Sequence, residues 1–456
     1  LCQRRHSRVL NEAHSIRKYA MHLIRPLIFS VLFLSVLLPQ VIAADEPQED
    51  DRLAWFRDAR LGIFIHWGIY AVEGIDESWS FFNGYVSYDD YMAQLDGFTA
   101  DEYNPKDWAK LIERSGARYA VLTTKHHDGV ALWDTDQNEL SVVKATPAGR
   151  DLVKPFVREL RKRDLGVGLY YSHLDWSHPD YPIHTRTERR YEVDPERWQR
   201  FLDFREGQLR ELTTQFEPDL LWFDGDWEVG GADVWQSAAL RDSLLMWQPD
   251  VILNSRINGH GDYATPEQGL PVTPPEGAWE LCMTMNDSWG FQDNDHNYKT
   301  PYQIIRIFAD VLAGGGNLLL DIGPRADGTI PDEQVAILEE LGRWTAAHSE
   351  AIYGTTAGIP AGHFYGPTTL STDQQTLYLF LPHQPSGPIV IKGLKNAIHR
   401  IRIVGNGTKL PHQILGKAYW SQVPGIVYIE VPATEVDPTM TVIALQLKGP
   451  VDLHRD

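Results

Sequence analysis

Several residues in this 456-residue sequence have types and spacings suited to chemistry on a small polar ligand. The stretch TTKHHDGVALWDT, residues 123–135, places His126 and His127 side by side and follows them with Asp-Gly. His66 lies in LGIFIHW, and Asp224 comes directly after the apolar run LLWF. Histidines can ligate a metal, bind a polar ligand or be structural. Burying a carboxylate next to an apolar run costs free energy unless the carboxylate is paired or functional. The positions of these residues on strands and loops therefore bear on which alternative applies.

Short apolar runs end near each of these residues, and continuous runs of this kind predict strands that are buried on both faces. Segments with helical spacing of apolar residues lie between the runs and are bounded by Pro and Gly. Repeated alternation of strand and helix over about 300 residues predicts an α/β fold, a (β/α)8 (TIM-like) barrel. The predicted strands are residues 61–67, 119–124, 167–172, 219–224, 250–255 and 317–323.

Other residues that could bind a ligand also lie at the ends of the predicted strands. Tyr171 closes the third run, Trp222 precedes Asp224, and Arg256 follows the fifth run. Because the C-terminal ends of barrel strands converge on one pocket, we expect these side chains to lie close together. Adjacent strand residues point to opposite faces, so His126 and His127 can share that pocket only where their strand has given way to a loop, as Asp-Gly favours.

The two ends of the chain differ from the predicted barrel in their sequence patterns. Residues 355–450 contain short strand-like runs separated by Pro, Gly and Asn, which predicts a small β-sandwich. Met21–Ala44 has a basic start at Arg25, a 12-residue apolar stretch and a small-residue cleavage site near Ala43-Ala44, which is typical of a signal peptide. We therefore predict an upstream extension and signal peptide (1–44), a catalytic barrel (45–353) and a C-terminal β-sandwich (354–456).

Composition limits the class of partner. The net charge of −20 and the absence of a basic stripe argue against binding to nucleic acid. The signal peptide predicts export to the periplasm or the outside of the cell, with no membrane span in the mature chain. Once it is removed, Cys282 is the one remaining thiol, so an intramolecular disulfide is not expected. The 15 Trp and 19 Tyr suit stacking on apolar ligand faces as well as core packing.

Two chemistries fit these residues. A metal-dependent barrel hydrolase would use His66, His126, His127 and Asp224 as ligands, although tightly spaced pairs such as His-x-His are missing from the strand ends. A retaining glycosidase would use two carboxylates, one as nucleophile and one as acid/base, with Trp stacked on the sugar. The aromatic surplus favours the glycosidase.

Seven motifs, in order along residues 50–353, resemble the α-L-fucosidases of glycoside hydrolase family 29. The resemblance implies a barrel plus β-sandwich, removal of terminal α-L-fucosyl residues with retention, and no metal or other cofactor. It implies a fucosylated glycan or fucan as substrate. The motifs are GIFIHWGIYAV, YAVLTTKHHDGVALWDT, GLYYSHLDW, LLWFDG, NSRINGHGDYATPE, WELCMTMNDSWGF and GGGNLLLDIGPRADGTI.

Residue roles follow from the same resemblance. Asp224 matches the family nucleophile, which must be ionised to attack. His66, His126 and His127 match histidines that bind fucose hydroxyls. The family often has Glu-Trp adjacent where this chain reads Asp-Glu-Ser-Trp, so the matching residues are Glu77 and Trp79. The other matching or candidate sugar contacts are Tyr171, Trp222, Arg256 and Trp289, with Trp222 and Trp289 as candidates to pack on the fucose methyl group.

The acid/base varies in position within the family. Glu280, in GAWELC, is our first prediction, because a neighbouring Trp279 would raise the pKa of its carboxyl. Glu276, Asp287 and Glu228 are alternates. A fucose-binding protein that has lost catalysis is a further alternative, which requires the sugar contacts without an acid/base.

Overall fold

A parallel sheet of seven strands forms the centre of the computed structural model, which describes residues 51–454. The predicted signal peptide therefore lies outside the described residues. The spatial order is β5-β4-β3-β2-β1-β7-β6, and all the pairings are parallel. Each of the six predicted runs contains a strand, and β6 is an additional one. The strands are β1 Leu61–Ile65, β2 Tyr119–Lys125, β3 Gly166–Ser172, β4 Leu220–Asp224, β5 Ile252–Leu253, β6 Glu280–Thr284 and β7 Asn317–Ile322.

An irregular segment, residues 263–267, bridges the two edges of this sheet. Tyr263 pairs with Asn254, just after β5, while Ala264 pairs with Trp279 and Glu267 with Cys282. The backbone N–H of Cys282 donates to the Pro266 carbonyl at 3.1 Å, which continues the ladder. The segment returns a hydrogen bond through Gln268, whose backbone N–H donates to the Cys282 carbonyl at 2.9 Å, but because Pro266 itself has no backbone N–H, the segment does not form a continuous strand. It nevertheless takes the place of an eighth strand and curls the sheet into a barrel.

Helices follow most strands and cover the outside of the sheet. Their ends carry capping signals that the sequence displays: Asn104 caps α4 with Pro105 at its first turn, and Thr300 and Gln303 form a capping box on α10. The helices are α1 Ala54–Ala59, α2 Trp79–Phe82, α3 Tyr88–Met92, α4 Pro105–Arg114, α5 Val142–Ala145, α6 Val153–Arg161, α7 Pro195–Phe216, α8 Ala232–Trp235, α9 Ser237–Trp247, α10 Pro301–Ala313 and α11 Asp332–His348.

Each barrel strand divides its side chains between two cores. On β4, Leu220 and Trp222 belong to the cluster inside the barrel, whereas Leu221 and Phe223 belong to the cluster between strands and helices. The side-chain period of a strand is two residues, so Asp224 continues the inward-facing series at the C-terminal end of β4. The apolar run LLWF is continuous because both of its faces are buried.

The C-terminal part forms two antiparallel sheets, in agreement with the predicted sandwich. A five-stranded sheet has the order β12-β15-β10-β9-β8, and a three-stranded sheet has the order β11-β14-β13. Apolar residues from both sheets share one core, for example Leu379 and Ile429. The strands are β8 Thr355–Ala357, β9 Thr368–Ser371, β10 Thr376–Leu381, β11 Ile389–Ile391, β12 Ile398–Ile403, β13 His412–Leu415, β14 Ile426–Ile429 and β15 Thr441–Leu447.

The outer face of the five-stranded sheet packs against the barrel. Tyr378 and Phe380 of β10 belong to the barrel's main core cluster, while Leu377 and Leu379 face the sandwich core. The indole N–H of Trp344 on α11 donates to the Met440 carbonyl at 2.8 Å. Among the described residues, no helix has the length and apolarity needed to cross a membrane.

Candidate active site

A small cavity of about 100 Å³ opens among the loops at the C-terminal ends of the barrel strands. Nine of the eleven residues predicted for the site line it. Tyr171 and Glu280 do not, and four residues that were not predicted do. The lining residues are Phe64, His66, Glu77, Trp79, His126, His127, Tyr170, Trp222, Asp224, Trp227, Arg256, Glu267 and Trp289.

The histidine pair reaches the cavity because β2 ends at Lys125, one residue before it. Gly129 has a φ of +81°, and this left-handed turn completes the loop that the sequence predicted. The Nδ1 of His126 lies 2.7 Å from the Ser78 hydroxyl, and the Nδ1 of His127 lies 2.6 Å from the Ser172 hydroxyl. Both rings are thus held through Nδ1, which leaves Nε2 as the ring nitrogen that is not used in these contacts.

His66 is oriented by a carboxyl group rather than a hydroxyl. Its Nδ1 lies 2.7 Å from the Oδ1 of Asp321, which is next to last in β7. Burial lowers the pKa of His66, His126 and His127, in the last case to about 3. The three rings are therefore neutral at physiological pH, and each can donate one hydrogen bond and accept another.

The inserted serine of the Asp-Glu-Ser-Trp stretch explains how both predicted residues reach the site. Ser78 points away from the cavity, where its hydroxyl contacts His126 and accepts from the backbone N–H of Asp128 at 2.9 Å. Glu77 and Trp79 on either side line the cavity. The Oε2 of Glu77 is buried without a hydrogen-bond partner. Burial and the neighbouring Asp76 raise the pKa of Glu77 to about 8, which favours the protonated form of this carboxyl.

Asp224 is held at the cavity wall by groups on two other strand ends. Arg256 Nη1 donates to its Oδ1 at 2.8 Å, and the Tyr170 hydroxyl donates to its Oδ2 at 3.2 Å. The Nε2 of His127 lies 3.7 Å from the same Oδ2. A charged donor and a neutral donor thus fix the carboxylate in one orientation, as a nucleophile requires.

A second carboxylate, Glu267, shares the same arginine. Arg256 Nη2 donates to Glu267 Oε2 at 2.6 Å, and the guanidinium lies 4.6 Å from the centre of the Trp222 ring. The Glu267 side chain is 40% exposed, compared with 13% for Asp224. The two carboxylates therefore lie on either side of one guanidinium, with Glu267 nearer to the solvent.

Tyr171 does not line the cavity, and its neighbour Tyr170 does. Tyr170 pairs with Trp222, and Ser172 pairs with Asp224. Because the period of a strand is two, these residues face inward together and Tyr171 faces the helices. The Tyr171 hydroxyl donates to Gln208 of α7 at 2.9 Å.

The structure also contradicts Glu280 as a residue of the cavity. Glu280 is the first residue of β6, so it lies towards the N-terminal face of the barrel, below the site. Its carboxyl is fully buried and accepts hydrogen bonds from the Tyr119 hydroxyl and, at 2.9 Å, from the indole N–H of Trp222. Burial raises the pKa of Glu280 to about 7. Trp279 takes no part, because its indole donates to Gly314 on the outer side.

The three alternative acid/base candidates also lie outside the cavity lining. Glu276 and Asp287 are exposed outside the cavity. Glu228 accepts hydrogen bonds from the Trp176 indole at 3.0 Å and from the Tyr181 hydroxyl at 2.8 Å. None of these three carboxyl groups lines the cavity.

Sequence reasoning missed Glu267 because it lies on the irregular segment 263–267, which has no strand periodicity. The available signal was its place 11 residues after Arg256, within the quoted stretch NSRINGHGDYATPE. Tyr170 could have been found by counting alternate residues back from the strand ends. Two carboxylates beside one small cavity, one rigidly held and one partly exposed, form an arrangement that can perform glycoside hydrolysis through a covalent intermediate.

Comparison with known proteins gives one consistent result. A family model described as alpha-L-fucosidase matches residues 40–350. The alpha-L-fucosidase of Dictyostelium discoideum is 28% identical over 405 residues, covering 80% of this chain and 85% of that protein. The tissue alpha-L-fucosidase of Homo sapiens is 31% identical over 350 residues, covering 70% of this chain and 73% of that protein.

Solved structures agree over most of the chain. Alpha-L-fucosidase isoenzyme 1 from Paenibacillus thiaminolyticus superposes with a TM-score of 0.79 at 33% identity, covering 87% of this chain and 99% of that one. A family GH29 alpha-L-fucosidase from Bacteroides thetaiotaomicron has a TM-score of 0.77 at 27% identity, covering 88% and 97%. That structure is a trapped covalent intermediate with 2-fluoro-fucosyl fluoride, obtained with a Glu-to-Gln mutant.

Proposed function

This chain belongs to the alpha-L-fucosidases of family GH29, and on that premise we propose that Asp224 and Glu267 are the carboxylates that carry its reaction. The family and the covalent intermediate of its relative support hydrolysis of α-L-fucosides with retention of configuration. The metal-dependent hydrolase and the non-catalytic binding protein are not favoured, since the similar proteins are fucosidases. A fucosylated glycan is the implied substrate.

In the first step, a carboxylate oxygen of Asp224 attacks the anomeric carbon of the fucosyl residue. The glycosidic C–O bond breaks as Glu267, which enters this step in its protonated form, donates that proton to the leaving oxygen. In the second step, Glu267 takes a proton from water, and the resulting hydroxide oxygen bonds to the anomeric carbon. The ester bond to Asp224 breaks, so the nucleophile is regenerated and Glu267 is again protonated.

The other lining residues suit recognition of one deoxy sugar. Neutral His66, His126 and His127 offer donors and acceptors to hydroxyl groups, and the protonated carboxyl of Glu77 offers a further donor. The aromatic walls Trp222 and Trp289 offer an apolar surface to the methyl group that fucose carries in place of a hydroxymethyl group. The small size of the cavity suits a single terminal sugar ring rather than an internal stretch of polysaccharide.

The observation that carries the assignment is the shared contact of Arg256 with both carboxylates. One guanidinium fixes their separation and neutralises charge between them. Retaining glycosidases place their two carboxyl groups about 5–5.5 Å apart, whereas inverting enzymes place them about 6.5–9.5 Å apart to make room for a water molecule. Contact of both carboxyl groups with one guanidinium favours the shorter separation.

The test is hydrolysis of 4-nitrophenyl α-L-fucoside by the wild type, Asp224→Ala, Glu267→Ala and Glu280→Ala, with and without EDTA. We expect kcat to fall by about 10³-fold or more for Asp224→Ala, because covalent catalysis is lost. 4-Nitrophenol leaves with little acid help, so Glu267→Ala should lose less in its first step. Azide should rescue Glu267→Ala and give the α-fucosyl azide of retained configuration.

The same experiment separates the alternatives. Azide rescue of Glu280→Ala, with none for Glu267→Ala, would contradict the assignment of the acid/base. Loss of activity in EDTA would support the metal-dependent reading, and binding of fucose without turnover by the wild type would support the non-catalytic one.

We also propose that the protein is exported and that the signal peptide is cleaved near Ala43-Ala44. The observation in support is the basic, apolar and small-residue order of Met21–Ala44. Expression of the full chain in a secreting host, followed by N-terminal sequencing of the exported protein, tests this. A mature protein that remains in the cytoplasm and retains residues 21–44 would contradict it.

A further inference from the structure

Trp227 is the one large apolar side chain of the described cavity wall that is mostly exposed. Its exposed fraction is 53%, whereas Phe64 and Trp222 are buried and Trp79 and Trp289 are partly buried. It lies three residues after Asp224, on the segment that follows β4, and it meets the His127 ring edge-to-face at 6.4 Å. Trp227 therefore stands at the mouth of the cavity rather than in its interior.

Both neighbours of Trp227 are tied to other loops of the barrel. Glu228 accepts from Trp176 and Tyr181, which lie in the segment between β3 and α7. On the other side, Asp226 Oδ2 accepts from the backbone N–H of Asn258 at 2.6 Å. An exposed indole on a segment that is fixed in this way loses little conformational entropy when a ligand stacks on it.

The position of Trp227 indicates what it would contact. The fucosyl ring occupies the cavity in the proposed function, and the group bonded to its anomeric carbon must leave through the mouth. We propose that Trp227 forms a wall of a leaving-group subsite and stacks on the apolar face of the sugar that carries the fucosyl residue. This inference rests on the proposed function and adds a contact for the second sugar.

Glu228 is then a positioning residue for this subsite. Its carboxylate accepts two hydrogen bonds from the segment that follows β3, and through them it holds the Trp227 backbone beside the cavity. The carboxyl that sequence reasoning considered as an acid/base thus acts on substrate selection through its neighbour.

The experiment compares substrates with and without a second sugar. The kcat/KM values for α-L-fucosyl fluoride and for α-1,2-, α-1,3-, α-1,4- and α-1,6-linked fucosyl disaccharides are measured for the wild type and Trp227→Ala. We expect the ratio of the best disaccharide to the fluoride to fall by about 10-fold. Trp227→Phe should retain most of the ratio, and Glu228→Ala should lower it more than Glu228→Gln.

Trp420→Ala is the matched control, because Trp420 is 76% exposed in the segment between β13 and β14. For Trp420→Ala, the ratio of kcat/KM for the best disaccharide to kcat/KM for the fluoride should equal that of the wild type. Equal losses on both substrates for Trp227→Ala, or no loss on either, would overturn the inference, as would a wild type that cleaves the fluoride but none of the disaccharides. A wild type that cleaves neither the fluoride nor any disaccharide would instead overturn the proposed function.

Discussion

At the scale of residues, the position of a carboxyl along its strand decides what it can do. Asp224 and Glu280 both belong to inward-facing positions of barrel strands, but Asp224 ends β4 and Glu280 begins β6. The C-terminal end opens onto loops and solvent, whereas the opposite end is filled by packed side chains. The raised pKa of Glu280 therefore reflects burial beneath the site, where its carboxyl holds the Trp222 indole.

The buried Glu280 carboxyl should make the stability of the protein depend on pH. Its pKa is about 7 in the folded protein and near 4.5 when exposed. Between these values the unfolded chain releases the proton while the folded chain keeps it, so the free energy of unfolding falls as pH rises. The contribution of the Glu280 carboxyl to the free energy of unfolding is fully present below about pH 4.5 and is lower by about 3 kcal/mol once pH exceeds 7.

Glu280→Gln tests this prediction, because its amide oxygen can accept from Trp222 and its NH₂ can donate to the Tyr119 oxygen. Urea unfolding at pH 4 to 8 should show wild type losing about 3 kcal/mol relative to Glu280→Gln. The exposed Glu276→Gln serves as the control, for which the difference from wild type should not change with pH. A pH-independent difference for Glu280→Gln would contradict the prediction.

At the scale of elements, neighbouring strands must have complementary side-chain sizes inside the barrel. Gly62 of β1 pairs with Tyr119 of β2, and a Cβ atom at Gly62 would lie 2.3 Å from Cζ of the Tyr119 ring. The absence of a side chain on β1 thus makes room for the aromatic ring on β2. That ring in turn places its hydroxyl on Glu280 of β6.

Gly62→Ala should therefore destabilise the protein by about 1–3 kcal/mol, because the Tyr119 ring must move away from Glu280. Chemical denaturation measures this change in the free energy of unfolding. Gly387→Ala is the control, since a Cβ atom there meets nothing within 4 Å. Equal stabilities for the two variants would show that the barrel accommodates a methyl group at position 62.

At the scale of the whole molecule, the C-terminal sheets complete the core of the barrel instead of forming a separate appendage. Strand β10 reads TLYLFL because Leu377 and Leu379 face the sandwich core while Tyr378 and Phe380 face the barrel. Arg343 on α11 also contacts Asp437 at 2.9 Å, close to the hydrogen bond from Trp344 to Met440.

The barrel and the sandwich should consequently unfold together. Differential scanning calorimetry of the protein should show one transition, and Trp344→Ala should shift all of it, at a cost of about 3–5 kcal/mol. The value of kcat for 4-nitrophenyl α-L-fucoside, per folded molecule, should not change, since Trp344 is not one of the residues that line the cavity. Two separate transitions, with only one moved by Trp344→Ala, would contradict this expectation.

The sequence by itself determined the alternation of strands and helices, the sandwich and most of the residues that line the cavity. Buried parallel strands are continuous apolar runs, and residues just after them converge, so His66, His126, Asp224 and Arg256 could be located from pattern and resemblance. Tertiary structure decided which carboxyl joins Asp224. Glu267 reaches the cavity because an irregular, proline-containing segment bridges β5 and β6, while Glu280 is directed into the core by the register of β6. Sequence periodicity specifies which face a side chain takes within a strand, but only the pairing of distant segments specifies its height in the barrel.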